Sequence, residues 1–190
     1  SLLFYLILNM ASMSKTAAFS SIIIIIAIAF GLLLNSQSTS GASGGESSLA
    51  WKTFDEGIVL ARQTNKKLLV DVYTDWCGWC KKMDSEVYTD KGVIDALNAS
   101  FILVKLNAES NKTVNYEGKT LTETQFAGAV GVTGYPSTLF FESSGKPITL
   151  LPGYVPAPKF LPVLRYIGEN HYQTISFEDY LAKTAGSTSP

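Results

Sequence analysis

The chain has 190 residues and carries 15 Lys and Arg against 16 Asp and Glu, a formal net charge of −1 that excludes the basic excess expected of a broad nucleic-acid-binding surface. Hydrophobic residues make up 46 %, enough for the core of one ordinary domain plus a tail or targeting segment. Two cysteines and one histidine supply neither a disulfide scaffold of the small secreted kind nor the four ligands of a structural zinc site, so no metal is expected.

From Ala17 to Leu34 the sequence is almost wholly apolar, with Lys15 just before it and no acidic residue until Glu46. A positive start, an apolar run and small residues at Ser40-Gly41-Ala42 describe a secretory signal cleaved after Ala42. The run is also long enough for an uncleaved membrane anchor, so residues 1–42 are read as signal peptide or anchor. Met13 is taken as the natural start and Ser1 to Asn9 as upstream translation. Residues 43–48 close a Ser- and Gly-rich stretch and read as a flexible linker. A single domain is expected over 49–183, and a disordered tail over 184–190.

Within that domain, Trp51, Phe54, Ile58 and Ala61 recur at helical spacing and predict a first helix ending near Asn65. Lys67 to Tyr73 is apolar apart from its ends and Asp71, the pattern of a buried strand. A helix is predicted from Cys77 toward Val87, a second from Lys91 to Asn98, and a strand over Phe101 to Leu106. Ala108 to Thr124 is polar and reads as an exposed insertion leading into a short helix near Thr122 to Val130. Thr138 to Phe141 and Pro147 to Leu151, joined at Ser143-Ser144-Gly145, form a predicted hairpin. Pro158 to Glu169 is a predicted helix whose start Pro162 delays. Ser176 caps a last short helix to Lys183. Strands alternating with helices imply an α/β sandwich, a mixed central sheet flanked by helices.

The run Asp75-Trp76-Cys77-Gly78-Trp79-Cys80-Lys81-Lys82 holds the chain's only two cysteines. Thiols three residues apart at the first turn of a helix lie on one face, where a disulfide can close between them. A strand, then Cys-x-x-Cys, then a helix is the setting in which that short motif reads as a redox pair.

Over roughly Leu49 to Asn170 the chain resembles the thioredoxin superfamily. The likeness rests on the Cys77–Cys80 motif, on Asp71 six residues before it, on Lys105 in the following strand, and on Gly131-Val132-Thr133-Gly134-Tyr135-Pro136-Ser137-Thr138. It implies a thioredoxin-like three-layer sandwich. It also implies that Cys77, acidified at a helix N-terminus, attacks a substrate disulfide and that a more buried Cys80 resolves the mixed disulfide. Asp71 is then either the proton acceptor for Cys80, acting through water, or a partner for Lys105 that completes the core. Pro136 is expected to be cis, beside Cys77, with the Tyr135 backbone offered to an extended substrate. Gly78, Trp76 and Trp79 flank the thiols as candidate substrate contacts, the two rings being equally readable as packing groups. Trp79 stands where thioredoxin commonly has proline. His171 reads as an ordinary surface or packing residue.

The longer Ala108 to Thr124 segment and the Tyr166 to Tyr180 tail look more like the exported, thioredoxin-related proteins of bacteria. The resemblance therefore implies a periplasmic or secreted thiol–disulfide oxidoreductase that needs no bound organic cofactor. It would reduce protein disulfides and draw electrons from a membrane donor. A disulfide oxidase or isomerase, and a non-catalytic binding module on the same fold, are the alternatives.

Overall fold

A computed structural model describes residues 48–186, and the readings made for the N-terminal segment, for most of the linker and for residues 187–190 lie outside them. In chain order the elements are β1 (Trp51–Lys52), α1 (Phe54–Thr64), β2 (Lys67–Tyr73), α2 (Gly78–Glu86), α3 (Lys91–Ser100), β3 (Phe101–Asn107), β4 (Thr113–Tyr116) and β5 (Lys119–Thr122). They continue with α4 (Glu123–Ala129), β6 (Ser137–Phe141), β7 (Pro147–Pro152), α5 (Ala157–Gly168), a 3-10 turn (His171–Gln173) and α6 (Phe177–Gly186). Five strands form one mixed sheet in the order β1-β3-β2-β6-β7. β1 and β2 run parallel to β3, while β6 pairs antiparallel with both β2 and β7.

Strand alternation divides the core in two. Leu68, Val70 and Val72 of β2 face Phe54, Ile58 and Ala61 of α1 and Phe126 of α4. Leu69, with Leu103 and Phe140, faces Met83 and Val87 at the α2 end, Leu97 of α3, and Phe160 and Leu164 of α5. Successive β2 residues point to opposite faces, so Asp71 shares the face of Leu69, under α2, α3 and α5. This is the expected three-layer α/β sandwich, and the chain's central strand is buried on both sides. Among the described residues no helix is long and apolar enough to cross a membrane.

Four expectations need correction. Trp51 belongs to β1 rather than to the first helix, pairing with Leu103 at the sheet edge and resting edge-on against Tyr88 at 5.0 Å. The helix starts at Phe54 because Thr53 caps it. The Glu56 N–H donates to Thr53 Oγ1, and Glu56 accepts from the Thr53 N–H at 3.1 Å. Residues 108–124 are not simply an exposed insertion, since β4 and β5 pair as a hairpin there. Glu117 and Gly118 both take positive φ, of 50° and 76°, as a two-residue hairpin turn requires. Asp55 fixes this hairpin to α1 by accepting from the Asn115 N–H at 2.8 Å and from its side-chain amide at 2.7 Å. Pro162 does not delay α5, which begins at Ala157 and carries the proline inside it. The missing N–H loses one helical bond, offset by the complete burial of Phe160, Leu164 and Ile167 around it. Finally, α6 runs through Gly186, three residues past the expected end of the domain, with Ser176 Oγ accepting from the Asp179 N–H at 3.1 Å as its cap.

Gly57 is where α1 comes down onto the sheet. A Cβ there would lie 2.4 Å from Val104 Cγ2 and 3.0 Å from Leu68 Cδ1, both fixed in the core. Gly57→Ala should therefore lift the helix and cost about 1–3 kcal/mol, seen as a lower midpoint in urea unfolding. An unchanged midpoint would mean that the helix-to-sheet distance adjusts freely.

Candidate active site

The buried β2 delivers the chain to the turn Thr74-Asp75-Trp76, and the Cys77 N–H closes that turn on Thr74 O at 3.1 Å. Cys77 is the N-cap of α2, with extended backbone angles (φ −69°, ψ 103°), and its Sγ accepts the Cys80 N–H at 3.1 Å. A sulfur thus occupies the place that a capping oxygen usually fills. Cys77 and Cys80 are joined in a disulfide with their Cα atoms 5.3 Å apart. Gly78 and Trp79, between them, face solvent. Cys80, 3 % exposed, is only marginally the more buried of the pair, Cys77 being 4 % exposed, so in the closed bridge both sulfurs are buried.

Beneath the motif the sheet register assembles an ionic centre. Asp71 pairs directly with Lys105 on β3 and with Thr138 on β6, so all three side chains leave the same face. Lys105 Nζ donates to Asp71 Oδ2 at 2.5 Å and to Asp84 Oδ1 at 2.5 Å. Its ammonium also lies over the rings of Trp51 (4.9 Å), Tyr73 (5.3 Å) and Tyr88 (5.3 Å). Burial pushes the Asp71 carboxyl above the usual carboxylate range, and the Lys105 charge only partly opposes it. Burial alone would lower Lys105, but Asp71 and Asp84 together hold it above its ordinary value.

Asp84 and Tyr88 are members of this centre that the sequence reading passed over. Their signal is the spacing, since Asp84 stands one helical turn after Cys80 on the same stripe and Tyr88 follows four residues later, just past the end of α2. Lys105, Asp84, Tyr88, Trp51, Leu49 and Ile94 line a cleft of about 510 Å³ through which the centre meets solvent.

Of the remaining candidates, Trp76 and Trp79 flank the cysteines in the chain and the Tyr135–Pro136 loop reaches Trp76. The Tyr135–Pro136 peptide is cis, as the resemblance implies, and Pro136 is buried with its carbonyl accepting the Gly153 N–H at 2.8 Å. Tyr135 packs edge-on against Trp76 with ring centroids 6.0 Å apart, which brings this loop to the motif. Trp76 is 67 % exposed and its indole N–H donates to Glu109 at 2.9 Å. Trp79 is 58 % exposed, lies 5.3 Å from the Tyr154 ring, and has Lys82 above it at 5.7 Å. Both indoles stay largely exposed while one side is held by a neighbour, so neither is a core packing group. His171 lies elsewhere, in the 3-10 turn, paired with Glu169 at 3.0 Å and against the Tyr180 ring. Among the described residues no group of three or more His, Cys, Asp or Glu side chains is arranged to hold a metal ion.

This arrangement can hold a thiolate at a helix N-terminus, a second thiol one turn along, and a buried acid with a raised proton affinity under the same helix. Residues 54–168 match the family model described as a thioredoxin-like domain. Among curated proteins the chain is 31 % identical over 104 residues to the thiol:disulfide interchange protein DsbD of Actinobacillus pleuropneumoniae, a match covering 54 % of this chain and 16 % of that protein. The chain thus spans about a sixth of the length of that relative. Among solved structures it resembles a thioredoxin-fold protein from Helicobacter pylori (TM-score 0.59, 21 % identity, covering 77 % of this chain and 91 % of the other). It also resembles a putative disulphide-isomerase from Bacteroides thetaiotaomicron (TM-score 0.51, 30 % identity, covering 63 % and 92 %). The chain belongs to the thioredoxin-like domain family, and its bridged Cys77–Cys80 pair is that of a thiol–disulfide oxidoreductase.

Proposed function

We propose that this protein is an exported reductase of protein disulfides, acting outside the cytoplasm and recharged by a membrane electron donor. The observation that carries the reading is the position of Cys77 Sγ, at the N-cap of a nine-residue helix and accepting a backbone N–H. When the bridge is reduced, the same N–H and the helix dipole favour the thiolate over the thiol, which makes Cys77 the attacking group. Cys80 then displaces the substrate, and the pair itself is the redox carrier, so no organic cofactor is needed. Asp71 takes the proton that Cys80 must lose, and Lys105 keeps its carboxyl oriented.

Exposed Trp76 and Trp79 flank the cysteines in sequence, and Tyr135 packs on Trp76, an apolar aromatic surface suited to unfolded or extended protein segments rather than to small polar thiols. Gly78 leaves the approach open, since a Cβ there would meet nothing within 4 Å. The Tyr135-Pro136 backbone supports strand-like docking of such a segment. The likeness to the thiol:disulfide interchange protein DsbD supports exchange with disulfides, and a reductase exported into an oxidising compartment cannot recharge itself there, which is why a membrane donor belongs to the reading.

The second reading, an isomerase or oxidase, is favoured by the name of the Bacteroides relative. The reduction potential of the Cys77–Cys80 pair separates the two. Equilibration against glutathione should give a value near the thioredoxin end, about −270 mV. A value near about −120 mV would overturn the reductase reading in favour of an oxidase.

A further inference from the structure

Asp71 spends one carboxyl oxygen on Lys105, and its other oxygen makes no hydrogen bond on the buried sheet face that it shares with Thr138 and Tyr88. Oδ1, together with Tyr88 Oη and Thr138 Oγ1, is buried without a closed hydrogen bond. Thr138 stands directly across the strand pair from Asp71, and Tyr88, just past the end of α2, is buried against the same sheet face. The phenol is near enough to both partners to feel them. Burial first, then the Asp71 charge, pushes it well above its usual value, although its geometry completes a hydrogen bond with neither. Groups of this kind are rarely left without partners in a folded core, and a catalytic role is one of the reasons that accounts for such exceptions.

Lysine only donates hydrogen bonds, so it suits an ionised carboxylate alone. A hydroxyl donates and accepts, and therefore suits both forms of an acid that gains and loses a proton. We propose that Tyr88 and Thr138 are the positioning residues of Asp71, donating to Oδ1 while the carboxyl is ionised and accepting from it once it holds the proton taken from Cys80. This rests on the reading of Asp71 as proton acceptor. In the step concerned, the mixed disulfide between Cys77 and a substrate thiol is attacked by Cys80. The Cys77–Cys80 bond forms as the Cys77–substrate bond breaks, the Cys80 proton passes to Asp71, and the substrate sulfur leaves as thiolate with the bonding pair. The charged groups facing Asp71 are Lys105 from β3 and Asp84 from α2, and neither is altered by the substitutions below.

The reduced protein is mixed with 5,5′-dithiobis(2-nitrobenzoate), and the two releases of nitrothiobenzoate are followed across pH. The first release reports attack by Cys77 and the second reports resolution by Cys80. Tyr88 lowers the proton affinity of Asp71 against the larger effect of burial, so its loss leaves less of the base ionised at neutral pH. Tyr88→Phe should therefore slow the second release about tenfold at neutral pH, with the first unchanged and the wild-type rate regained at alkaline pH. Thr138→Val should displace the profile in the same direction, and Thr138→Ser, which keeps the hydroxyl, should not. If Tyr88→Phe does not fold, the threonine pair of variants decides. A Tyr88→Phe profile superimposed on wild type, or lowered equally at every pH, overturns the proposal. Asp71→Asn separates the two levels. A slowed second release in Asp71→Asn beside an unaffected Tyr88→Phe rejects the hydroxyl role alone, while an unaffected Asp71→Asn rejects the acid's role and the proposal with it.

Discussion

Cys77→Ser is expected to reduce turnover of a protein disulfide such as insulin by on the order of 10³-fold or more, the scale of loss when a covalent nucleophile is removed. Cys80→Ala should behave differently, keeping the first attack and stopping after it. The difference follows from where α2 begins. Cys77 Sγ sits at the helix N-terminus and accepts the Cys80 N–H at 3.1 Å, so the partial positive charge of the helix end acts on the first sulfur of the motif. A serine hydroxyl in that place keeps the cap but stays protonated, and only the ionised sulfur exchanges with disulfides. Cys80, one turn along, is needed only when a mixed disulfide has formed. In Cys80→Ala that adduct has no internal thiol to break it. It should accumulate as a species retained on a non-reducing gel and released by dithiothreitol. Mass spectrometry of the adducts would identify the captured proteins. Turnover by Cys77→Ser at the wild-type rate, or no adduct with Cys80→Ala, would remove Cys77 from the role of nucleophile.

Much of this architecture is legible from local pattern where one physical signal dominates. Lys67 to Tyr73 reads as a strand because a run of aliphatic side chains with one acid is what a strand buried on both faces demands, and its observed bounds agree. Elements set by a second, competing signal are less legible. Trp51 fits a helical stripe with Phe54 and Ile58, but the Thr53–Glu56 capping box starts the helix after it and leaves Trp51 to pair with β3. The hairpin at 113–122 hides in polar residues because its turn uses Glu117-Gly118, a weaker mark than Asn-Gly.

The site divides in the same way. Cys77, Cys80, Asp71 and Lys105 are converged by the strand-to-helix turn and by the Asp71–Lys105 register. Asp84 and Tyr88 escaped notice because a helix of Lys, Asp, Ser and Glu reads as a solvated surface. Their partnership with Lys105 and Asp71 exists only once α2 is laid across β2 and β3. The buried pair of hydroxyls is likewise a product of register, since nothing in the local sequence of Thr138 or Tyr88 announces the other.

Asp71→Asn should separate catalysis from stability, lowering the first while sparing or raising the second. On the proposed role of Asp71 as proton acceptor for Cys80, its loss should slow the resolving step about a hundredfold at neutral pH. The effect on stability has the opposite sign. Burial raises the folded-state proton affinity of Asp71 above that of the unfolded chain, whose carboxyl titrates near about 4. Between those two values the folded protein holds a proton that the unfolded chain has lost. Unfolding free energy therefore falls as pH rises from about 4 through the folded value, and is level above it. Lys105 does not shape this window. Its raised value makes its contribution complete below the ordinary lysine range and lost only as pH rises through the alkaline region. Asparagine removes the titration, can still accept from Lys105, and offers an amide to Tyr88 and Thr138, while Lys105 keeps Asp84 as a partner at 2.5 Å. Urea unfolding across acidic to neutral pH should thus show the wild-type decline reduced in the variant, with neutral-pH stability equal to or above wild type. A variant that is weaker at neutral pH and keeps the wild-type slope would mean that Asp71 serves chiefly to pair with Lys105 in the core. A slowed resolving step without a loss of stability is the combination that the proposed role of Asp71 as a base buried under α2 requires.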